Sequence, residues 1–252
     1  MVKILAIGNS FSQDALYYVH ETAKASGVEV KAANLYIGGC SLEQHWRNAE
    51  TEEKVYVPEC NGQTFNEERI SLKEGILSDD WDIITLQQAS GESGWQDSYE
   101  PFFGLLLEYV KKLAPKAKIY IHKTWAYDEG SDHCFFMRYN RSQEEMYQRL
   151  SVAYGEMVEK YKLPVIRSGD LVQELRSTPP FTPCVGENSV CRDGFHMHFL
   201  YGRYAIACLW LRTLLGISVL DNTYIPKTEF FAGEADLEKL AVIRQTVEKL
   251  TL

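Results

Sequence analysis

The feature that most constrains this chain is a regular exchange between short apolar runs and stretches of helical periodicity. Residues 2–7, Val-Lys-Ile-Leu-Ala-Ile, form an apolar run that stops at Gly8. A short run of this kind suits a strand buried on both faces of a parallel sheet. Residues 13–26 then carry Leu16, Tyr17, Val19, His20 and Ala23 at helical spacing and stop at Ser26-Gly27. The exchange continues along the chain. Strands are predicted over 28–37, 81–86 and 117–124 and from Val165, and helices over 41–49, 99–113, 144–161, 170–176, 199–215 and 237–250. Strand–helix alternation implies right-handed crossovers and a parallel sheet covered on both faces. The expected fold is therefore α/β: one domain over 1–252, a three-layer α/β/α sandwich of flavodoxin-like type. Its central parallel sheet should have about five strands.

One stretch breaks the rhythm. Within 52–72, Val55-Tyr56-Val57 and residues 65–70 flank Asn61-Gly62, a strong hairpin-turn signal, so an inserted β-hairpin is expected there. Residues 177–192 read as a Pro-containing loop. Hydrophobic residues make up 45% of the chain, enough to fill a sizeable core and to exclude wholesale disorder. The net charge of -9 argues against nucleic acid or an anionic membrane as a partner, because both require clustered Lys and Arg. No run approaches the roughly 18 apolar residues of a membrane span. The opening apolar run is too short for a signal-peptide core, so the chain as given reads as cytoplasmic. A chain whose signal had been removed would read the same way and be periplasmic or secreted. The cysteines at 40, 60, 134, 184, 191 and 208 are scattered. They read as free thiols, although Cys184 and Cys191 bracket a loop and can pair in an oxidising compartment.

Parallel sheets bind ligands at the carboxyl ends of their strands, so chemistry is sought in the loops that follow. The first is Gly8-Asn9-Ser10-Phe11-Ser12. A serine between strand and helix meets free N–H groups that favour a developing negative charge, although Ser10 or Ser12 at such a position also simply caps a helix. Residues 192–198, Arg-Asp-Gly-Phe-His-Met-His, place Asp193 three residues before His196. That spacing lets the carboxylate hold imidazole Nδ1 and leaves Nε2 as a base. His198 reads as a helix-start packing residue. Gln87 and Gln88 end the third strand, where a side-chain amide can donate to an oxyanion, and at Gly38-Gly39 the missing Cβ lets a backbone N–H approach a substrate oxygen. No GxGxxG is present to mark a dinucleotide site, and no cofactor is expected.

Taken in order, these blocks resemble the SGNH (GDSL-type) hydrolase superfamily, and in particular a poorly characterised bacterial branch that opens with Gly-Asn-Ser-Phe-Ser and shares Leu86-Gln87-Gln88 and Thr124-Trp125-Ala126-Tyr127. The resemblance implies a serine hydrolase with Ser10 as nucleophile, His196 as base and Asp193 as its orienter. It implies an oxyanion hole built from the N–H groups of Ser10 and Gly39, with a glutamine side chain, Gln88 ahead of Gln87, replacing the usual asparagine. Two positions depart from the pattern: Asn9 stands where the family has aspartate, and Ala89 falls at the usual asparagine.

Trp46, Trp95, Trp125 and Tyr127 lie in or near post-strand segments, where aromatic faces can stack on sugars. The leading expectation is therefore an esterase that removes O-acetyl groups from a carbohydrate through an acyl-serine, with an acyltransferase using the same intermediate. Two readings compete with it. One is a non-catalytic carbohydrate-binding relative, motivated by the altered asparagine block. The other is a zinc protein using Cys184, Cys191, His196 and His198, whose C-x6-C-x4-H-x-H spacing fits no common structural zinc pattern.

Overall fold

The computed structural model describes residues 1–64, 68–182, 184, 186–231 and 233–251. Five strands form the parallel part of the sheet: β1 (Val2–Gly8), β2 (Val30–Tyr36), β5 (Ile83–Leu86), β6 (Lys118–His122) and β7 (Val165–Ile166). Their spatial order is β2-β1-β5-β6-β7, with β1 paired in parallel to both β2 and β5. The order reverses at β1, so the loop after β1 opens into the crevice where such folds bind ligands.

The sheet is larger than expected, and mixed. The hairpin strands β3 (Val57–Cys60) and β4 (Gln63–Thr64) join the same sheet, and β3 runs antiparallel to β2 with Asn34 opposite Glu59. An exposed β2 edge would offer unpaired backbone groups, and β3 covers it. Asn61 and Gly62 both adopt positive φ, 52° and 75°, as a two-residue hairpin turn demands. Residues 65–67 of the expected second hairpin arm, and 183 and 185 of the expected 177–192 loop, lie outside the described residues.

Helices α1 (Ser10–Leu16) and α2 (Val19–Ala25) replace the single helix expected over 13–26. The chain turns at Tyr17-Tyr18, and the hairpin turn comes so close that a Cβ on Gly62 would lie 2.5 Å from the Tyr17 carbonyl oxygen. The remaining helices are α3 (Leu42–Thr51), α4 (Leu72–Leu77), α5 (Phe102–Leu113), α6 (Gln143–Tyr161), α7 (Ser168–Arg176), α8 (Tyr201–Leu215) and α9 (Leu237–Thr251). Ser71 and Glu74 start α4 with a reciprocal capping box, a helix not expected from the apolar pattern. Helix α8 is buried from Tyr201 to Leu211 and packs against α1, α2, α7 and α9. Among the described residues no helix is long and apolar enough to cross a membrane.

Two histidines, His45 and His122, are buried in this framework, and a third, His198, is half-buried. Burial pushes His45 and His122 down to about 3 and, helped by the charges of Lys239 and Arg192, His198 down to about 4. Each is held neutral, so its folded value lies below the unfolded value near 6.5. The stability tied to these groups is complete above about pH 6.5 and is lost as the pH falls towards 4 and then 3. The thermal midpoint is expected to fall steadily between pH 6.5 and 4. A flat midpoint across that window would contradict the buried, neutral assignment.

Candidate active site

Strand β1 ends at Gly8, and Asn9 is the N-cap of α1. Its side chain makes three hydrogen bonds. Asn9 Oδ1 accepts from the Phe11 N–H at 3.0 Å and from Gln87 Nε2 at 2.9 Å, while Asn9 Nδ2 donates to the Cys40 carbonyl at 3.0 Å. An aspartate could accept the first two but could not donate the third. Asn9 therefore ties the start of α1 to the Gly38-Gly39-Cys40 loop.

Ser10 opens α1 and is half-buried, and its N–H has no partner among the described residues. The Gly39 N–H is likewise unpaired, on a turn that the Cys40 N–H closes onto Ile37 O at 3.2 Å. Gly39 has φ +65°, and a Cβ there would meet nothing within 4 Å. Glycine is needed at that position for backbone conformation rather than for room.

His196, the expected base, lies at the tip of a tight loop. Backbone bonds from Arg192 N to His196 O at 2.9 Å and from His198 N to Val190 O at 2.7 Å draw its two arms together. At the tip, Asp193 Oδ1 accepts from the N–H groups of Phe195 and His196 at 3.2 and 2.8 Å, and Asp193 Oδ2 lies 2.7 Å from His196 Nδ1. Burial alone would raise the Asp193 carboxyl, but the bonds from the His196 ring and backbone outweigh it and bring the group down to about 2. An ionised Asp193 can only accept, so His196 Nδ1 carries the proton and Nε2 is left with its lone pair.

Two features bring this tip to the helix that Ser10 opens. The His196 ring lies edge-on to Phe11 with centroids 6.1 Å apart. Asp14, one turn after Ser10 and wholly buried, accepts from the Met197 N–H at 2.8 Å, from Arg192 Nη1 at 3.0 Å on both oxygens, and from Arg203 Nε at 2.7 Å. The residues flanking the Asp193–His196 loop tip are thus bonded to the helix that carries Ser10. Asp14 and the two arginines were missed in the sequence. The available signal was a carboxylate placed between Phe11 and Ala15 on a buried helix face.

The structure changes several assignments. Gln88 is wholly buried; its Nε2 donates to Ser98 O and Oγ at 2.9 and 3.0 Å, and its Oε1 accepts from Leu42 N and Ala89 N. Gln88 therefore pins the start of α3 and has no amide hydrogen left for an oxyanion. Gln87 faces Asn9, and its Oε1 accepts from His122 Nδ1 at 2.7 Å, while Ser168 Oγ donates to His122 Nε2 at 2.9 Å. It braces Asn9 and, through it, the Gly38-Gly39-Cys40 loop.

The aromatic residues also move. Trp125 is buried, stacked on Phe11 at 4.2 Å, and donates to Phe195 O at 2.7 Å, so it underlies the site and offers no free face. Tyr127 is buried, with its hydroxyl 2.8 Å from Ser90 Oγ. Trp46 packs edge-on to Tyr109 between α3 and α5. Trp95 is exposed and has Arg138 and Arg149 over its ring, each at 5.8 Å. His198 Nδ1 accepts from the Leu200 and Tyr201 N–H groups at the start of α8, the packing role expected of it.

The zinc arrangement is not assembled. Among the described residues no group of three or more His, Cys, Asp or Glu side chains is placed to hold a metal ion, and His196 and His198 direct their Nδ1 atoms elsewhere. Cys184 and Cys191 are free thiols.

Residues 3–243 match the model of a family described as a domain of unknown function, DUF4886. The chain belongs to the DUF4886 family. The crystal structure of a DUF4886 family protein from Bacteroides uniformis is 30% identical and superposes with a TM-score of 0.88, over 98% of this chain and 93% of that one. A putative SGNH hydrolase from Slackia heliotrinireducens is 18% identical, with a TM-score of 0.57 over 84% of this chain and 98% of that one. An acetylxylan esterase from Geobacillus stearothermophilus is 14% identical, with a TM-score of 0.57 over 86% and 95%. No curated protein matches the sequence. This DUF4886 chain has the SGNH hydrolase fold.

Two outcomes test the geometry. Asp14→Ala removes the shared partner of two largely buried arginines, and unfolding in urea is expected to show a loss of about 3–5 kcal/mol. Asn9→Asp sets a carboxylate against the Cys40 carbonyl and should cost about 1–3 kcal/mol in the same measurement. Wild-type stability in either variant would show that the bond in question does not carry the site.

Proposed function

We propose that this protein is a serine hydrolase that cleaves a small acyl ester through an acyl-serine intermediate. The observation that carries this reading is the Asp193–His196 pair, 2.7 Å apart, on a loop whose next residue, Met197, donates its N–H to Asp14 on the helix whose first residue is Ser10. Ser10 Oγ attacks the ester carbonyl while its proton passes to His196 Nε2, and Asp193 stabilises the imidazolium. The carbonyl oxygen becomes an oxyanion that the Ser10 and Gly39 N–H groups receive. Collapse breaks the bond to the alcohol, which leaves with the proton from Nε2. Water, deprotonated by the same nitrogen, then releases the acid and restores Ser10. An alcohol in place of water would make the reaction an acyl transfer.

The oxyanion hole in this reading rests on two backbone donors. Loss of one donor costs about 10²–10³ in rate in comparable sites, so turnover is expected to be slow unless the substrate contributes binding energy of its own. An O-acetylated carbohydrate is the substrate class we favour. The low-identity likeness to an acetylxylan esterase supports it, as do the half-buried rings of Phe195 and His133 beside His196.

Intact mass after incubation with a fluorophosphonate tests the nucleophile. Wild type should gain one adduct, and folded Ser10→Ala none. Asp193→Asn frees the wrong imidazole tautomer, and by analogy with serine protease triads should slow labelling by about 10⁴. Equal labelling of wild type and Ser10→Ala would sink the proposal.

A further inference from the structure

Beside the catalytic loop stands a second histidine that the reaction scheme leaves unused. His133 caps the short 3-10 helix Cys134–Tyr139, with its Nδ1 accepting from the Phe135 N–H at 3.3 Å. Its ring lies against Tyr127 at 4.6 Å and stands edge-on to Phe195 at 4.6 Å and 78°. Phe195 in turn lies 4.2 Å from the His196 ring. Burial and the nearby His196 hold His133 below the ordinary histidine range, against the pull of Asp132 and Asp193. A neutral ring whose Nδ1 is an acceptor carries its proton on Nε2. Among the described residues that Nε2 has no partner, and the side chain is half-exposed.

A single fixed donor set against a half-exposed aromatic ring is the chemistry that recognises a neutral polyhydroxylated ring. The apolar C–H face rests on the aromatic ring, and a hydroxyl accepts the hydrogen bond. We propose that His133 is a substrate-contacting residue that donates from Nε2 to a hydroxyl of the alcohol half of the ester, a neutral polyhydroxylated ring lying on Phe195. This rests on the serine hydrolase reading of Ser10, His196 and Asp193.

His133→Asn separates the two roles of the side chain, since asparagine can still cap the 3-10 helix but is too short to place a donor where Nε2 stands. KM for an acetylated methyl glycoside should rise about 2–13-fold, the equivalent of one neutral hydrogen bond, with kcat nearly unchanged. Turnover of 4-nitrophenyl acetate, whose alcohol carries no aliphatic hydroxyl, and fluorophosphonate labelling of Ser10 should match wild type. An unchanged KM for the glycoside, or the same loss on both esters, overturns the proposal. A second measurement does not depend on turnover. In Ser10→Ala protein, the His133 imidazole signals in a nitrogen-15 NMR spectrum should shift as the acetylated methyl glycoside is added. If wild type fails to label and cleaves no ester, the hydrolase reading fails, and stationary His133 signals then overturn this proposal as well.

Discussion

The proposed active site depends on one buried carboxylate. Asp14 sits on the same helix as Ser10, has no exposure to solvent, and holds Arg192, Arg203 and the Met197 N–H. A lone carboxylate in such a place would be prohibitively costly, and two guanidinium groups with a backbone donor offset that cost. The result is directional. Arg192 precedes Asp193, and Met197 follows His196, so the loop that bears His196 cannot drift from α1 without exposing a buried charge. Arg203 adds α8 to the same anchor and lies over the Tyr17 ring at 3.9 Å, at the point where α1 gives way to α2.

A second, uncharged network does the same for the Gly38-Gly39-Cys40 loop, the proposed oxyanion side. Ser168, His122, Gln87 and Asn9 form a chain of hydrogen bonds that crosses beneath the carboxyl ends of β7, β6, β5 and β1 and ends on the Cys40 carbonyl. Each side chain in it has a fixed donor and acceptor sense, because burial keeps His122 neutral. A satisfied buried network of this kind specifies one arrangement of its loops. It also accounts for Asn9, one of the two departures from the usual motif blocks. Asn9 is an amide because it must donate as well as accept, and Gln87 and Gln88 are long amides because they hold Asn9, Leu42 and Ser98 in place.

Much of this was legible in the sequence. Apolar runs ending in Gly8 and near Leu86, and helical periodicity with caps such as Ser41, define local structure through burial and backbone chemistry that neighbouring residues decide. The Asn61-Gly62 turn is of the same kind, because positive φ at both positions is a property of the residues themselves. The Asp193–His196 contact spans three residues and is also local. Trp125 and Tyr127, expected to offer faces to a sugar, are buried, for a different reason. Trp125 and Tyr127 follow β6 as expected, but whether a ring meets solvent or Phe11 and Ser90 depends on partners more than 35 residues away in the chain.

The sequence by itself determined the alternation of strands and helices, the serine at the end of the first strand and the aspartate–histidine pair near the last helices, since each follows from spacing within a few residues. Only the tertiary structure decided that the hairpin extends the main sheet, that both glutamines serve as internal braces, that Asp14 joins the two halves of the site, and that His133 stands beside His196. Those outcomes turn on which buried polar groups find one another across the fold, and hydrogen-bond satisfaction is settled by three-dimensional proximity rather than by residue type.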